Sequence, residues 1–370
     1  MTTSSNNPRE AAARPLQVAL IGYGNAGRIF HAPLISGVPG LALACVGSSQ
    51  PAAVHADWPL VKVLPTPEAV LSDSSIDVVV IATSNTSHYP LAKAALLAGK
   101  HVVVDKPCAV TLAETDDLLT TARAQNRLLT VFQNRRFDAD FLALQQVLAS
   151  GVLGRVVHFE SHFDRYRPVV PERWREQAIP GSGLWFDLGA HLADQALQLF
   201  GPPDDLQVDL ACQREGALVN DYFHAQWRYG ASQPGLRVIL HGSALVPSVG
   251  PRFVVHGTLG SFVKYGLDVQ EDALKAGGRP QVGATAAWGQ DPRVGTVTLP
   301  TDAGPVINPA PDVAGNYLAY YAELAAYLQG QQAQPTVTPE QVYLVMQLLT
   351  LGEQSAALGQ FVPVPRGQTP

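Results

Sequence analysis

Apolar residues in the first third of the chain come in short unbroken runs. Leu16–Ile21, Leu41–Gly47, Val61–Leu64, Asp77–Ala82, His101–Asp105 and Leu128–Gln133 each read as a strand. Asp77-Val78-Val79-Val80-Ile81-Ala82 is apolar at every position after the first. A strand covered on both faces, as in a parallel sheet, has that pattern. Helical segments lie between the runs, including His88–Ala98 and Thr111–Gln125. The second opens with Thr111-Leu112-Ala113-Glu114, a capping box in which two side chains satisfy free N–H groups of the first turn. Strand and helix in alternation predict a doubly wound α/β domain over residues 15–136.

After Phe137 the pattern changes. A helix over Asp138–Ala149 leads to Gly151 and a strand from about Arg155 to Asp164. A loop with Pro168, Pro171 and Pro180 follows, then a helix from about Leu184 to Phe200. Leu206–Arg214, Ala217–Tyr229, Leu236–Gly242, Arg252–Gly257 and Gly260–Lys264 are strand-like and close enough to pair as an antiparallel sheet. Residues 270–311 are rich in Gly and Pro, which fits either a functional loop or weak structure. Helices near Asp312–Gly330 and Pro339–Leu358 close the chain. The second domain is placed at 137–370, an α/β domain with an open, mainly antiparallel sheet. The polar, alanine-rich residues 1–14 read as a disordered tail without the apolar core of a signal peptide.

Composition narrows the partners. At 370 residues and 46% hydrophobic content, the chain has room for two domains with buried cores. The net charge of −6 is spread without long runs, which argues against nucleic acid or an anionic membrane as the main partner. No apolar run reaches membrane-spanning length. Cys45, Cys108 and Cys212 show no paired spacing, which fits a reducing compartment and gives neither a disulfide framework nor a zinc ribbon. A cytoplasmic location is expected.

The candidate chemistry begins where the first strand ends, at Gly22-Tyr23-Gly24-Asn25-Ala26-Gly27. A Gly-x-Gly-x-x-Gly between a strand and a helix fits dinucleotide binding. Gly22 permits the tight turn, Gly24 lets the backbone approach a pyrophosphate, and Gly27 lets the helix pack close. Asn25 and Ala26 open the helix, where free N–H groups face the phosphates. After the fourth strand come Thr83, Asn85 and His88, placed to touch a cofactor at the carboxyl end of the sheet; a plain helix cap is the competing reading. After the fifth come Asp105-Lys106-Pro107. An ammonium at the sheet mouth can stabilise developing alkoxide charge, although a solvated loop lysine has the same signature. In Asp187-Leu188-Gly189-Ala190-His191 the carboxylate and imidazole are four apart and predicted to share a helix face. A carboxylate beside an imidazole suits a general base; a surface pair or a core histidine is the alternative. His158, Glu160 and His162 alternate along a strand, so either a polar cleft face or a zinc site would explain them. The cleft is favoured, with no metal expected. Arg135, Arg136, Arg165, Arg167, Arg173 and Arg175 flank these segments and fit either phosphate and sugar hydroxyls or simple loop solvation.

These motifs, in this order, resemble the glucose–fructose oxidoreductase / inositol dehydrogenase (Gfo/Idh/MocA) family of nicotinamide oxidoreductases. The resemblance runs from Leu16 to Leu358. The family usually has glutamate before the Lys-Pro pair, where this chain has Asp105. The resemblance implies an N-terminal Rossmann domain and a C-terminal sheet that serves oligomerisation as a dimer or tetramer. It implies a catalytic set of Lys106, Asp187 and His191, with hydride leaving a secondary carbinol carbon. Further cofactor contacts then fall on Asn134 and Trp174, besides Thr83, Asn85, His88, Asp105 and Lys106. The stretch from Glu160 to Pro168, with Arg173–Gln177, resembles the branch of NADP-dependent scyllo-inositol dehydrogenases, so His162, Arg165 and Tyr166 become substrate candidates.

NAD-preferring folds of this kind usually carry an acidic residue about twenty residues beyond the glycines. Here the second strand ends in Cys45-Val46-Gly47-Ser48-Ser49-Gln50. Two hydroxyls and no carboxylate at Ser48 and Ser49 point to NADP, with NAD as the alternative. The expected function is hydride transfer between NADP(H) and a cyclic polyol or sugar. The competing readings are a non-catalytic dinucleotide-binding regulator, an NAD-dependent glycosidase-type enzyme of the same fold, and a zinc hydrolase.

Overall fold

The computed structural model describes residues 14–230, 232–283 and 288–366. Apart from Arg14, whose guanidinium pairs with Asp77 at 2.8 Å, the expected tail lies outside the described residues.

Six parallel strands form the first sheet: β1 (Leu16–Ile21), β2 (Leu41–Gly47), β3 (Lys62–Leu64), β4 (Val78–Ile81), β5 (His101–Val104) and β6 (Leu129–Val131). Their order is β3-β2-β1-β4-β5-β6. The switch point between β1 and β4 is where such a sheet opens a crevice for ligands. The apolar runs behave as expected: Val78, Val79, Val80 and Ile81 are wholly buried. Helices Asn85–Leu97 and Leu112–Ala124 pack beside this sheet, and the second carries both bonds of its capping box.

The second sheet has nine strands: β7 (Val156–His162), β8 (Asp205–Ala211), β9 (Tyr222–Arg228), β10 (Arg237–Ser243), β11 (Pro251–Gly257), β12 (Ser261–Tyr265), β13 (Thr296–Leu299), β14 (Val306–Pro309) and β15 (Val362–Pro363). Their order is β14-β13-β12-β11-β7-β10-β9-β8-β15, with β7 and β10 parallel and every other neighbour antiparallel. One face alternates into the core: Phe159, Phe223, Ala225, Trp227, Val238 and Phe253 are wholly buried. Residues 270–311 hold a short helix, Gln270–Lys275, and the edge strands β13 and β14. All four residues of β14 are exposed, so no alternation marks it in the sequence.

Two C-terminal helices, Leu318–Leu328 and Pro339–Leu358, return to the first sheet. Tyr320 donates its hydroxyl to the Val131 carbonyl at 3.0 Å, and Thr130 donates to the Val337 carbonyl at 2.9 Å. The longer helix also serves the second sheet. The Leu349 carbonyl accepts from the Trp185 indole at 3.0 Å, and Ser355 Oγ accepts from the Val208 N–H at 3.0 Å. Gly352 makes the close approach possible, since a Cβ there would lie 2.5 Å from the Trp185 ring.

His31 is wholly buried between Phe132 and Tyr321. Burial pulls its pKa down to about 4, against a partial counter-pull from Asp105. The unfolded chain protonates this imidazole near 6.5, and the folded chain resists until about 4. The resulting stability is therefore present above the unfolded value and is lost as pH falls through that window. The loss should reach about 3 kcal/mol, and His101, also lowered to about 4, adds to it in the same direction. Urea midpoints at pH 7 and pH 4.5 check this. His31→Gln should flatten the dependence, and equal wild-type midpoints at both pH values would refute it.

Candidate active site

β1 ends and the chain turns at Gly22, whose φ is +98°. A Cβ at Gly22 would meet the Ala82 carbonyl oxygen at 2.5 Å, and one at Gly27 would meet the Gly22 carbonyl oxygen at 2.1 Å. Both glycines are demanded by packing within the protein. At Gly24 a Cβ would meet nothing within 4 Å. Its bare backbone is exposed and adjoins Asn25 and Ala26, which open on the crevice at the start of the helical segment. A dinucleotide pyrophosphate fits that opening by the chemistry of free N–H groups at a helix start.

Asn25 and Ala26 line a cleft of about 310 Å³, together with Asp105, Lys106, Asn134, Asp187 and His191. Lys106 is buried, and its Nζ donates to Asp187 Oδ1 at 2.7 Å and to the Asp187 backbone carbonyl. Burial lowers the Lys106 pKa, and Asp187 opposes that shift. Burial pushes the Asp187 carboxyl up, but Lys106, Arg175 and Arg165 outweigh it and hold the group far below the usual carboxylate range. The 2.7 Å contact between them has the geometry of an ion pair. Asp105 accepts the Lys106 backbone N–H at 2.9 Å and so fixes the end of β5.

His191 lines the same cleft and has its Nδ1 buried without a partner among the described residues. Burial, then Lys106 and Arg135, lowers its pKa well below the ordinary value, so the ring is neutral. The expected pairing of Asp187 with His191 is not formed. Residues Trp185–Gly189 wind as a π-helix before the α-helix Ala190–Phe200, so a spacing of four there is not an α-helical turn. A buried carboxylate also gains more from an ammonium than from a neutral imidazole.

The remaining candidates divide. His88 is buried, with Nδ1 at 2.8 Å from the Pro107 carbonyl and Nε2 at 3.3 Å from the Thr83 carbonyl. Burial lowers its pKa. It braces the Lys106-Pro107 loop rather than presenting a nitrogen to a ligand. Asn85 is buried and donates to the Gly181 carbonyl at 2.8 Å, tying the first sheet to the segment before Asp187. Thr83 Oγ1 accepts from Ser87 at 2.9 Å. Ser48 Oγ accepts the Gln50 N–H at 3.0 Å, and Ser49 is exposed at the end of β2.

Thr83, Asn85, His88, Ser48 and Ser49 are not part of the cleft lining, and neither are His162, Tyr166 and Trp174. His162 lies on the strand face opposite Phe159 and Phe163, so it points away from the cleft, and its Nε2 is 2.9 Å from Glu160 Oε2. Glu160 also meets His158 Nε2 at 2.7 Å, so this polar row pairs with itself on the outer face. The row is therefore not a cleft face. Tyr166 is 59% exposed and bridges to Leu245. Trp174 stacks under the Arg175 guanidinium at 4.7 Å. Arg165, by contrast, enters the cleft. No motif points to Glu271, which pairs with Arg135 at 2.6 Å over the cleft. It lies on a helix of fewer than two turns inside the Gly- and Pro-rich stretch.

Comparison with known proteins agrees with this architecture. Residues 16–133 match the family model described as an oxidoreductase-family NAD-binding Rossmann fold, and residues 145–365 match that family's C-terminal alpha/beta domain. The uncharacterized oxidoreductase YdgJ of Escherichia coli is 52% identical over 92% of this chain and 96% of its own length. The NADP(+) scyllo-inositol 2-dehydrogenase IolW of Bacillus subtilis is 36% identical over 92% of this chain and 94% of its own. The solved structure of YPO2259 from Yersinia pestis superposes with a TM-score of 0.90 at 49% identity, covering 96% of this chain and 99% of that one. With both domain models matched in sequence and the glycine turn opening on the cleft, the chain belongs to the Gfo/Idh/MocA family of oxidoreductases.

Proposed function

We propose that this oxidoreductase transfers a hydride between NADP(H) and a secondary alcohol or ketone carbon of a cyclic polyol or sugar. The observation that carries the reading is the buried Lys106–Asp187 pair beside a neutral His191 in the cleft onto which the glycine turn opens. Gly22, Gly24, Asn25, Ala26, Gly27, Asp105 and Asn134 would hold the dinucleotide, whose nicotinamide supplies the hydride acceptor when bound. The Lys106 ammonium would polarise the carbinol oxygen and stabilise charge developing on it. His191, kept neutral by its surroundings, would take the hydroxyl proton. Asp187 would hold the Lys106 ammonium in place.

The division at 136/137 then separates cofactor holding from substrate choice. The outer face of the nine-stranded sheet would serve homo-oligomerisation as a dimer or tetramer, in the cytoplasm. A screen of inositols and aldoses with NADP and NAD, read at the reduced-nicotinamide absorbance, tests the activity. NADP-linked turnover of at least one neutral or charged polyol is expected. Saturable cofactor binding with no turnover on any of them would leave a regulator instead.

The preference for NADP rests on Ser48 and Ser49, and the IolW name supports it. Ser48→Asp would place a carboxylate where the 2′-phosphate is expected, and like charges repel. The ratio of kcat/KM for NADP over NAD should fall at least about tenfold, equivalent to about 1.4 kcal/mol. An unmoved ratio, or a wild type that already prefers NAD, would sink the assignment.

A further inference from the structure

Arg165 continues the inward face of β7. Phe159, Ser161 and Phe163 are wholly buried, and the alternation carries the next inward side chain into the cleft. Its guanidinium packs over the Phe163 ring at 4.6 Å. The side chain is half-buried, and that burial pulls its pKa down to about 10. Among the described residues it has neither a carboxylate within 4.0 Å nor a side-chain hydrogen bond. Asp187 and Glu271 act on it only from beyond contact distance, and both are already engaged by other cations. A partly desolvated charge with no counter-charge in contact is costly and usually marks a place where one arrives.

Three of the other cations around it are already matched. Lys106 holds Asp187 at 2.7 Å, Arg135 holds Glu271 at 2.6 Å, and Arg173 holds Glu176 at 2.7 Å. Arg167 lines the cleft as well. Arg175 stands 3.7 Å from an Asp187 oxygen that already serves Lys106. The cleft is thus cationic in a chain whose net charge is −6. The surplus lies on the segment that leaves the second sheet, whereas the glycine turn belongs to the first. It is placed to meet a substrate rather than the pyrophosphate.

We propose that the substrate carries an anionic group, a carboxylate or a phosphate, and that Arg165 receives it with Arg167 and Arg175 at its side. This rests on the dehydrogenase reading of the same cleft. A guanidinium fork binds either anion bidentately, with stronger bonds than a neutral hydroxyl allows. It would orient the reacting carbon of a sugar acid or a sugar phosphate before Lys106 and His191. Neutral polyols would lack that anchor.

The test uses the full chain saturated with NADP. Turnover of inositol and glucose is compared with that of glucuronate and glucose 6-phosphate; the two anions separate carboxylate from phosphate. At least one anion should exceed the neutral compounds in kcat/KM by about tenfold or more, chiefly through KM. Arg165→Gln should collapse that ratio toward one, and Arg165→Lys, which keeps the charge and loses the fork, should keep only part of it. In parallel, thermal shift with the same anions reads binding without chemistry. Wild type should gain Tm and Arg165→Gln should not. Should Arg165→Gln fail to fold, Arg167→Gln and Arg165→Lys carry the comparison. An Arg165-dependent Tm shift without any turnover would sink the dehydrogenase reading and keep the anion site. Neutral substrates preferred with no Tm shift, or a variant that loses NADP binding instead, would overturn the anion site.

Discussion

Lys106→Met should cut turnover sharply while the chain still folds and binds its cofactor. The substitution keeps the length of the side chain and removes the charge. Without the ammonium, nothing at Nζ stabilises an oxygen that gains negative charge as hydride departs. A loss of about 10²–10³-fold in kcat is expected, on the scale measured for removing one such electrostatic donor. Stability should fall too, because Asp187 is left in a buried site without its principal partner. Breaking a buried pair commonly costs about 3–5 kcal/mol. Arg175, 3.7 Å from the same carboxylate oxygen, moderates that cost. The double variant with Asp187→Asn removes the stranded charge, so it should recover part of the Tm and none of the turnover. Unfolding of both variants would make Lys106 structural; a single variant with near-normal kcat would remove it from the chemistry.

His191→Ala should lower kcat and kcat/KM together by about 10²–10⁴-fold, the usual worth of a positioned proton acceptor. Cofactor affinity should hardly move. The direction of the His191 pKa adds a sharper test. Burial, Lys106 and Arg135 all disfavour its protonated form. A base held that low stays competent as pH falls. Alcohol oxidation by the wild type should therefore show no fall in kcat/KM on crossing 6.5, the ordinary histidine value. A limb centred near that value would mean that the acceptor is not this buried ring. Near wild-type turnover in His191→Ala would settle the matter in the same sense.

The first sheet was legible because burial on both faces leaves an unmistakable trace. β1 and β2 match the apolar runs Leu16–Ile21 and Leu41–Gly47 end for end, and the last helix matches Pro339–Leu358. Glycine chemistry was legible at Gly22 and Gly27, where a Cβ would collide with backbone. Side-chain partnership was not. Asp187 pairs with a lysine 81 residues away, and a local spacing cannot compete with that distant charge. His162 was legible in principle. Phe159 and Phe163 mark the core face of β7 by their apolar character, and His162 falls on the other. Arg165 shares parity with Phe163 and could have been separated from His162 on that ground. Glu271 left no trace, because a helix of fewer than two turns is too short to show a period.

The helices that close the chain cover a sheet made near its beginning. β6 ends at Val131, and its partners Val337 and Tyr320 arrive close to 200 residues later. At ordinary rates of synthesis, that interval is roughly 10–40 s. Throughout it the newborn nucleotide-binding sheet holds an unfinished flank, with the Thr130 hydroxyl unmatched and Val131 awaiting its aromatic cover. Folding of the cofactor half is therefore completed only after residues 320–337 have been made. A deletion near residue 340 would injure the first-made half as much as the last.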